Sequence, residues 1–257
     1  MNKPHIVAFG GGVDSTAMIL GLYEQKRPID LILFADTGGE RPETYAHIEN
    51  FSNWLASKGL PKITIVKRVR KDGSLETLEE ECHRSKSLPS IAYGYKRCSL
   101  KHKVAPQDKY CNHWQPALDW WKTGKKCVKY IGYDAGESHR ADNAAKRDDP
   151  KYDYEYPLIE WQWERQDCLD IIAKHGIINV GKSACFFCPS SRPKEIVDLY
   201  EKHPDLLQRA LNIEKQAELI SIKGLGRNYA WSEVILMHKS QMTLPFVGFD
   251  LPCDCTE

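Results

Sequence analysis

Three groups of residues in the 257-residue chain have the types and spacing to do chemistry. The first is Phe9-Gly10-Gly11-Gly12-Val13-Asp14-Ser15-Thr16, which follows the apolar run His5 to Phe9 and leads into the helix-like Ala17-Met18-Ile19-Leu20-Gly21-Leu22. Strand, glycine turn and helix start in that order make a phosphate cradle. The glycines let the backbone turn tightly and bring N–H groups against an anion, at the positive end of the helix dipole. Ser15 and Thr16 add hydroxyl donors, and a nucleotide phosphate is the natural guest. The dinucleotide fingerprint needs a further glycine inside the helix and the P-loop needs Gly-Lys-Ser/Thr; this turn has neither.

The second group is Cys185-Phe186-Phe187-Cys188-Pro189. Two thiols two residues apart can bind one metal centre, and the pattern alone leaves zinc, an iron–sulfur cluster and a redox dithiol open. A redox pair belongs beside a thioredoxin-like strand and helix, which this context does not provide. In the third group, Tyr95-Lys96-Arg97-Cys98-Ser99-Leu100-Lys101-His102-Lys103, basic side chains surround one cysteine. That suggests an anion site around a low-pKa thiol, or a cluster ligand flanked by phosphate contacts, with Lys101 a catalytic candidate. Cluster ligation usually takes four soft ligands, so Cys98, Cys185 and Cys188 call for a fourth. Cys253 or Cys255 in the tail is the nearest by type, Cys82 and Cys111 are weaker, and Cys127 and Cys168 read as buried core thiols.

These residues need an α/β framework. Leu31-Ile32-Leu33-Phe34, within a strand from Asp30 to Ala35, is apolar enough to be buried on both faces of a parallel sheet. Asp36 and Thr37 stand at its carboxyl end, where open α/β folds place a ribose-binding carboxylate. A helix to about Ser57, a strand from Ile63 to Val69 and a strand from Lys129 to Asp134 follow, the last delivering Gly132, Glu137 and Arg140 into a turn. Lys71 to Pro89, with Glu76, Glu79, Glu80 and Glu81, reads as a solvated charge run, and Ala141 to Tyr156 as a polar, mobile connection. Asp167 to His175 reads as a helix, and Pro193 to about Ile222 as helical, broken at Gly224 to Tyr229. Gly176 to Ser183 fits the P-loop pattern letter for letter, yet a helix runs into it and no helix leaves it, so it reads as a decoy.

On these motifs the chain resembles the PP-loop ATP pyrophosphatase superfamily, whose Ser-Gly-Gly-x-Asp-Ser loop appears here with Gly10 in place of the first serine. Phe34-Ala35-Asp36-Thr37-Gly38 with Arg41-Pro42-Glu43-Thr44, and Gly136-Glu137-Ser138-His139-Arg140, are similar to its phosphoadenylyl-sulfate (PAPS) reductase-like branch. The resemblance implies a Rossmann-like adenine nucleotide alpha hydrolase fold: a mostly parallel sheet of five or six strands with helices on both faces. Residues 1–180 would bind nucleotide and residues 181–257 would form a Cys-rich helical section. It implies Phe9, Gly10, Gly11, Gly12, Asp14, Ser15, Thr16, Asp36, Thr37, Gly132, Glu137 and Arg140 as nucleotide contacts, and Asp14, Ser15, Lys101 and Arg140 as catalytic. The spacing of Cys98 from Cys185 and Cys188 resembles that of the iron–sulfur reductases, which favours a [4Fe–4S] cluster over zinc, with Cys253 or Cys255 as fourth ligand.

The implied activity is adenylation at the α-phosphate of ATP, with Mg²⁺, followed by sulfur transfer to a tRNA base, a DNA backbone or a small molecule. An alternative is reduction of adenylyl sulfate or PAPS, which needs a tail thiol and a thioredoxin-like reductant. A further one is a nucleotide-sensing module with structural zinc. A sulfur-donor protein and a homodimer are among the expected partners. Balanced charge, 36 basic against 35 acidic residues, argues against a globally basic nucleic-acid binder. With no apolar run of bilayer length and no signal-peptide pattern, no membrane partner and a cytoplasmic location are expected. Nine cysteines then fit ligation or catalysis better than disulfides.

Overall fold

The computed structural model describes residues 2–145, 148–219 and 221–243. Strand β1 (His5–Phe9) is followed by α1 (Val13–Glu24), β2 (Leu31–Asp36), α2 (Pro42–Ser57), β3 (Ile63–Lys67) and α3 (Leu78–Ser85). A 3-10 turn (Ser90–Tyr93) precedes α4 (Arg97–Ser99), from which helical backbone continues through a π-helical stretch (Leu100–Val104) into α5 (Ala105–Cys111). Next come α6 (Gln115–Trp121), β4 (Cys127–Ile131), α7 (Ser138–Ala145), β5 (Tyr152–Glu155), α8 (Pro157–Glu160) and α9 (Arg165–Lys174). Beyond the cysteine turn stand α10 (Pro193–Lys202), α11 (Pro204–Gln216) and α12 (Trp231–Thr243).

The five strands are all parallel, in the order β3-β2-β1-β4-β5. β2 is buried along its whole length, as its unbroken apolar run requires. One face packs on α1, α2 and α9 through Met18, Leu22, Phe51 and Ile171; the other packs Leu31, Leu33 and Tyr152 on Cys111 and Ala117. The chain therefore folds as a Rossmann-like α/β layer structure. After β2 and β3 on one side of β1, it crosses to β4 and β5 on the other. That switch opens a crevice between the carboxyl ends of β1 and β4, where ligands of such folds bind. A separate apolar cluster of Phe186, Phe187, Ile196, Leu199, Leu207 and Trp231 also takes in Leu78, Cys82 and Leu88 from the α3 region.

Several sequence expectations are corrected. The five strands among the described residues fall within the expected five or six, but the fourth runs Cys127–Ile131 and ends before Gly132. Ala141 to Tyr156 is no plain connection: it holds the end of α7 and all of β5. β5 sits at the sheet edge and buries only Tyr152, so its acidic positions face outward and hide the strand pattern. Glu76 is 6% exposed, not solvated, held by Arg68 and by Arg84 at 2.8 Å. Glu81 receives Lys101, Arg68 at 2.6 Å and His102 at 2.5 Å, so it clamps α3 to the π-helical stretch. The helical pattern expected from Pro193 is present as two helices, α10 and α11, parted at His203-Pro204 because proline cannot continue the ladder. Among the described residues no helix is long and apolar enough to cross a membrane.

Candidate functional site

The glycine turn joins β1 to α1 as expected, but its glycines have several jobs. Gly11 has φ +80°, and a β-carbon there would come 3.2 Å from Phe34 and 3.3 Å from Thr44. At Gly12 a β-carbon would lie at an ordinary 3.4 Å from the Ser183 backbone nitrogen, so this residue sits against a neighbouring segment. Gly10 has ordinary space, 3.6 Å to Ser15 Oγ. No side chain caps α1, which leaves its leading N–H groups and the positive dipole end for an anion.

The two hydroxyls both bond within or beside the turn. Ser15 Oγ accepts from Gly10 N–H at 3.1 Å and donates to the Gly12 carbonyl at 3.2 Å. Thr16 is fully buried, donating to the Gly12 carbonyl at 2.8 Å and meeting His47 Nε2 at 3.0 Å. Both brace the turn, because the carbonyl one turn back is the nearest acceptor. Phe9 is 2% exposed and packs on Phe51, so its ring belongs to the core. At Gly132 a β-carbon would approach Ser15 Cα at 3.0 Å and Ser15 N at 3.1 Å; glycine lets the end of β4 touch the start of α1.

Around the crevice the charged residues are paired with one another. Asp14 holds Arg165 at 2.8 Å. Burial raises its pKa, Arg165 opposes, and Asp134 and Glu137 add to the rise. Arg140 pairs with Glu137 at 2.6 Å and lies 4.1 Å over the Tyr133 ring, which itself stacks on Tyr156. Asp36 accepts from Tyr45 and from Gly38 N–H, each at 2.8 Å, and pairs with Lys67 at 3.2 Å.

Across the β2 end, Cys98, Cys185 and Cys188 line one cavity of about 200 Å³ with Thr37, Lys103 and Ser183. Thr37 Oγ1 is 3.1 Å from Cys185 Sγ, Phe186 N–H donates to the Gly39 carbonyl at 2.7 Å, and Glu40 pairs with Cys185 in an antiparallel bridge. Burial pushes the Cys185 thiol up to about 12, Glu40 adding and Lys103 and Thr37 opposing. Lys103 pairs with the buried Glu40 at 3.5 Å. Burial disfavours its charge, but Glu40 and the Cys185 and Cys188 thiols outweigh that and raise its pKa. Lys101, in contrast, is tied to Glu81 and does not line this cavity. Helical geometry places it two positions round from Lys103.

Cys127 and Cys168 are buried core thiols, pushed up by burial to about 11 and about 12. Cys111 packs on the opposite sheet face, which separates it from the three lining thiols. Cys253 and Cys255 lie outside the described residues. Among the described residues no three His, Cys, Asp or Glu side chains are grouped to hold a single metal ion. Thiolates are ligands for zinc and for iron–sulfur clusters alike.

Glu40, Lys103 and Ser183 were not singled out by sequence reading; Lys103 sat within a recognised basic segment, while Ser183 lay in the decoy motif. A larger cavity of about 540 Å³, lined by Lys182 and Ala184, lies between α2 and α10, with Arg41 engaged by Asp198 and Lys182 by Glu195.

Fold and site together define a parallel α/β chain with an uncapped helix start at the sheet switch point and a three-thiol cavity beside it. No family model matches the chain, and no curated protein matches it. Among solved structures it is similar to the U34-tRNA thiolase NcsA from Methanococcus maripaludis with its [4Fe–4S] cluster. The two are 17% identical, over 85% of this chain and 74% of that one, with a TM-score of 0.46. A likeness of that size fixes neither the fold nor the activity of this chain.

Proposed function

We propose that the protein is a PP-loop adenylating sulfurtransferase. The observation that carries the reading is the shared wall: the β2-end turn that neighbours the glycine turn is hydrogen-bonded to the cysteine turn through Thr37 and Gly39. A nucleotide site and a soft-ligand site are thereby held side by side.

ATP would lie in the β1–β4 crevice, its phosphates on the leading N–H groups of α1, with Mg²⁺ near Asp14. Ser15 would act by holding the turn in shape. Arg140 would leave Glu137 for phosphate, where a guanidinium binds two oxygens at once. An acceptor carbonyl oxygen attacks the α-phosphorus, and the bond to pyrophosphate breaks. Sulfur at the hydrosulfide level then adds to the activated carbon, and the carbon–oxygen bond to AMP breaks, with no net redox change. Cys98, Cys185 and Cys188 would hold a [4Fe–4S] cluster, which could carry sulfur on an iron if these three, and neither Cys253 nor Cys255, are its protein ligands. Lys103 would keep its positive charge against the thiolates. Residues 1–180 would carry the nucleotide site, and residues 181–257, joined by the α3 region, the cysteine section.

Anaerobic purification with iron, sulfide and zinc analysis is the first test, followed by ATP turnover with tRNA, DNA and small carbonyl acceptors. Roughly four iron and four sulfide per chain, with acceptor-dependent release of AMP and pyrophosphate, are expected. Stoichiometric zinc without iron, or no ATP binding, would overturn the reading.

A further inference from the structure

The geometry points to Ser183 as a positioning residue that couples nucleotide at the glycine turn to the cysteine cavity, an inference that rests on the nucleotide reading above. Residues 177–184 run from the end of α9 to Cys185 without helix or strand. They contain the motif that looks like a P-loop, but no strand enters it and no helix leaves it. The fold puts its last residue to another use. Ser183 Oγ donates to the Gly10 carbonyl, on the other motif, and to Glu40 Oε2 at 3.1 Å. One hydroxyl proton shared between two acceptors is a three-centre bond.

Two covalent facts turn this contact into a coupling. The Gly10 carbonyl and the Gly11 N–H belong to the same planar peptide. An anion that accepts from Gly11 N–H fixes that plane and polarises the carbonyl, which strengthens the bond Ser183 makes to it. On the other side, Ser183 is two residues from Cys185, and its second acceptor, Glu40, is fully buried and holds Lys103 at 3.5 Å. Glu40 also bridges to Cys185 through the backbone. The path from phosphate to cavity wall is therefore Gly11 N–H, Gly10 C=O, Ser183, and then both Glu40–Lys103 and Cys185. Gly12 lies against the same segment, since a β-carbon there would meet the Ser183 nitrogen at 3.4 Å, an ordinary contact distance.

The test is amide hydrogen exchange on the full chain, with and without saturating Mg-ATP, in wild type, Ser183→Ala and Ser183→Thr. Peptides covering 10–16 report nucleotide binding, and peptides covering 181–188 report the segment. In wild type, ATP is expected to slow exchange in both, by about tenfold in the segment, the effect of one ordered hydrogen bond. Ser183→Ala should keep the ATP response at 10–16 and lose it at 181–188, and Ser183→Thr should restore it. A purely structural serine would change exchange at 181–188 equally with and without ATP. An undiminished ATP response at 181–188 in Ser183→Ala, or a wild-type response confined to 10–16, would overturn the coupling while leaving the proposed function standing. No response at 10–16 in wild type would remove the nucleotide reading, and the coupling with it.

Discussion

Thr37 and Cys185, 148 positions apart in the chain, meet with Thr37 Oγ1 3.1 Å from Cys185 Sγ. Thr37 is 1% exposed and also accepts from Gly39 N–H at 3.3 Å. One hydroxyl thus joins the end of the second strand to the cysteine turn. Thr37→Val keeps the shape and removes both bonds, and should lower unfolding free energy by about 1–2 kcal/mol in urea melts. No change in midpoint would mean that the contact is not formed in solution.

The two glycines flanking Ser15 should respond in opposite ways. Gly132→Ala drives a methyl against Ser15 backbone at 3.0 Å and must push the start of α1, so ATP affinity should fall more than tenfold in calorimetry. Gly10→Ser meets Ser15 Oγ at an ordinary 3.6 Å and adds a hydroxyl beside the phosphate position. It should bind ATP as tightly as wild type or more so.

Iron content should sort the cysteines by position. Serine at Cys98, Cys185 or Cys188 should lower bound iron severalfold, since each thiol lines the same cavity. Cys127→Ala and Cys168→Ala should retain it, because both thiols are in the main core. Equal iron across all five variants would separate the cavity from the metal.

Stability should fall on acidification in two overlapping windows. Burial depresses His47 from 6.5 to about 4, so the unfolded chain takes up its proton first and stability is lost from pH 6.5 down to about 4. Burial pushes Glu81 upward, but hydrogen bonds from His102 and Lys101 and the charges of Lys101 and Arg68 prevail and hold it at about 2. Its contribution is full above about 4.5 and is lost as pH falls towards 2. Each shift corresponds to about 3 kcal/mol. Denaturant midpoints against pH should show His47→Gln flattening the upper window alone and Glu81→Gln the lower.

Glu214 should be the most sensitive acid in the C-terminal section. It is 7% exposed and accepts from the backbone N–H groups of Leu225, Trp231 and Ser232 and from the Ser232 hydroxyl. Glu214→Ala leaves these donors buried without a partner and should cost about 3 kcal/mol. A loss below about 0.5 kcal/mol in urea melts would contradict this arrangement.

Much of the framework was legible in the residues because it is local. The apolar run of β2, the glycine turn ahead of α1 and the helix from Pro42 to Ser57 each follow from neighbours along the chain, and all three stand as expected. β5 was missed since an edge strand buries one face only, and Tyr152-Asp153-Tyr154-Glu155 carries too little apolar signal to show it. Glu76 and Glu81 were read as solvated because their partners, Arg68, Lys101 and His102, are set by packing and not by spacing.

By itself the sequence determined which residue types are set where: glycines in a turn ahead of a helix, soft sulfurs in a close pair, and an apolar strand that must lie inside a parallel sheet. Only the tertiary structure decided which residues share a wall. It brought Lys103 into the cavity lined by all three thiols and Lys101 to Glu81 near Cys98, turned Ser15 and Thr16 inward, and brought Ser183 onto Gly10 across 173 positions. The reason is physical. Strand and helix signals arise from periodicity over a few residues, whereas a contact between distant segments depends on how whole elements pack, and no local pattern records that.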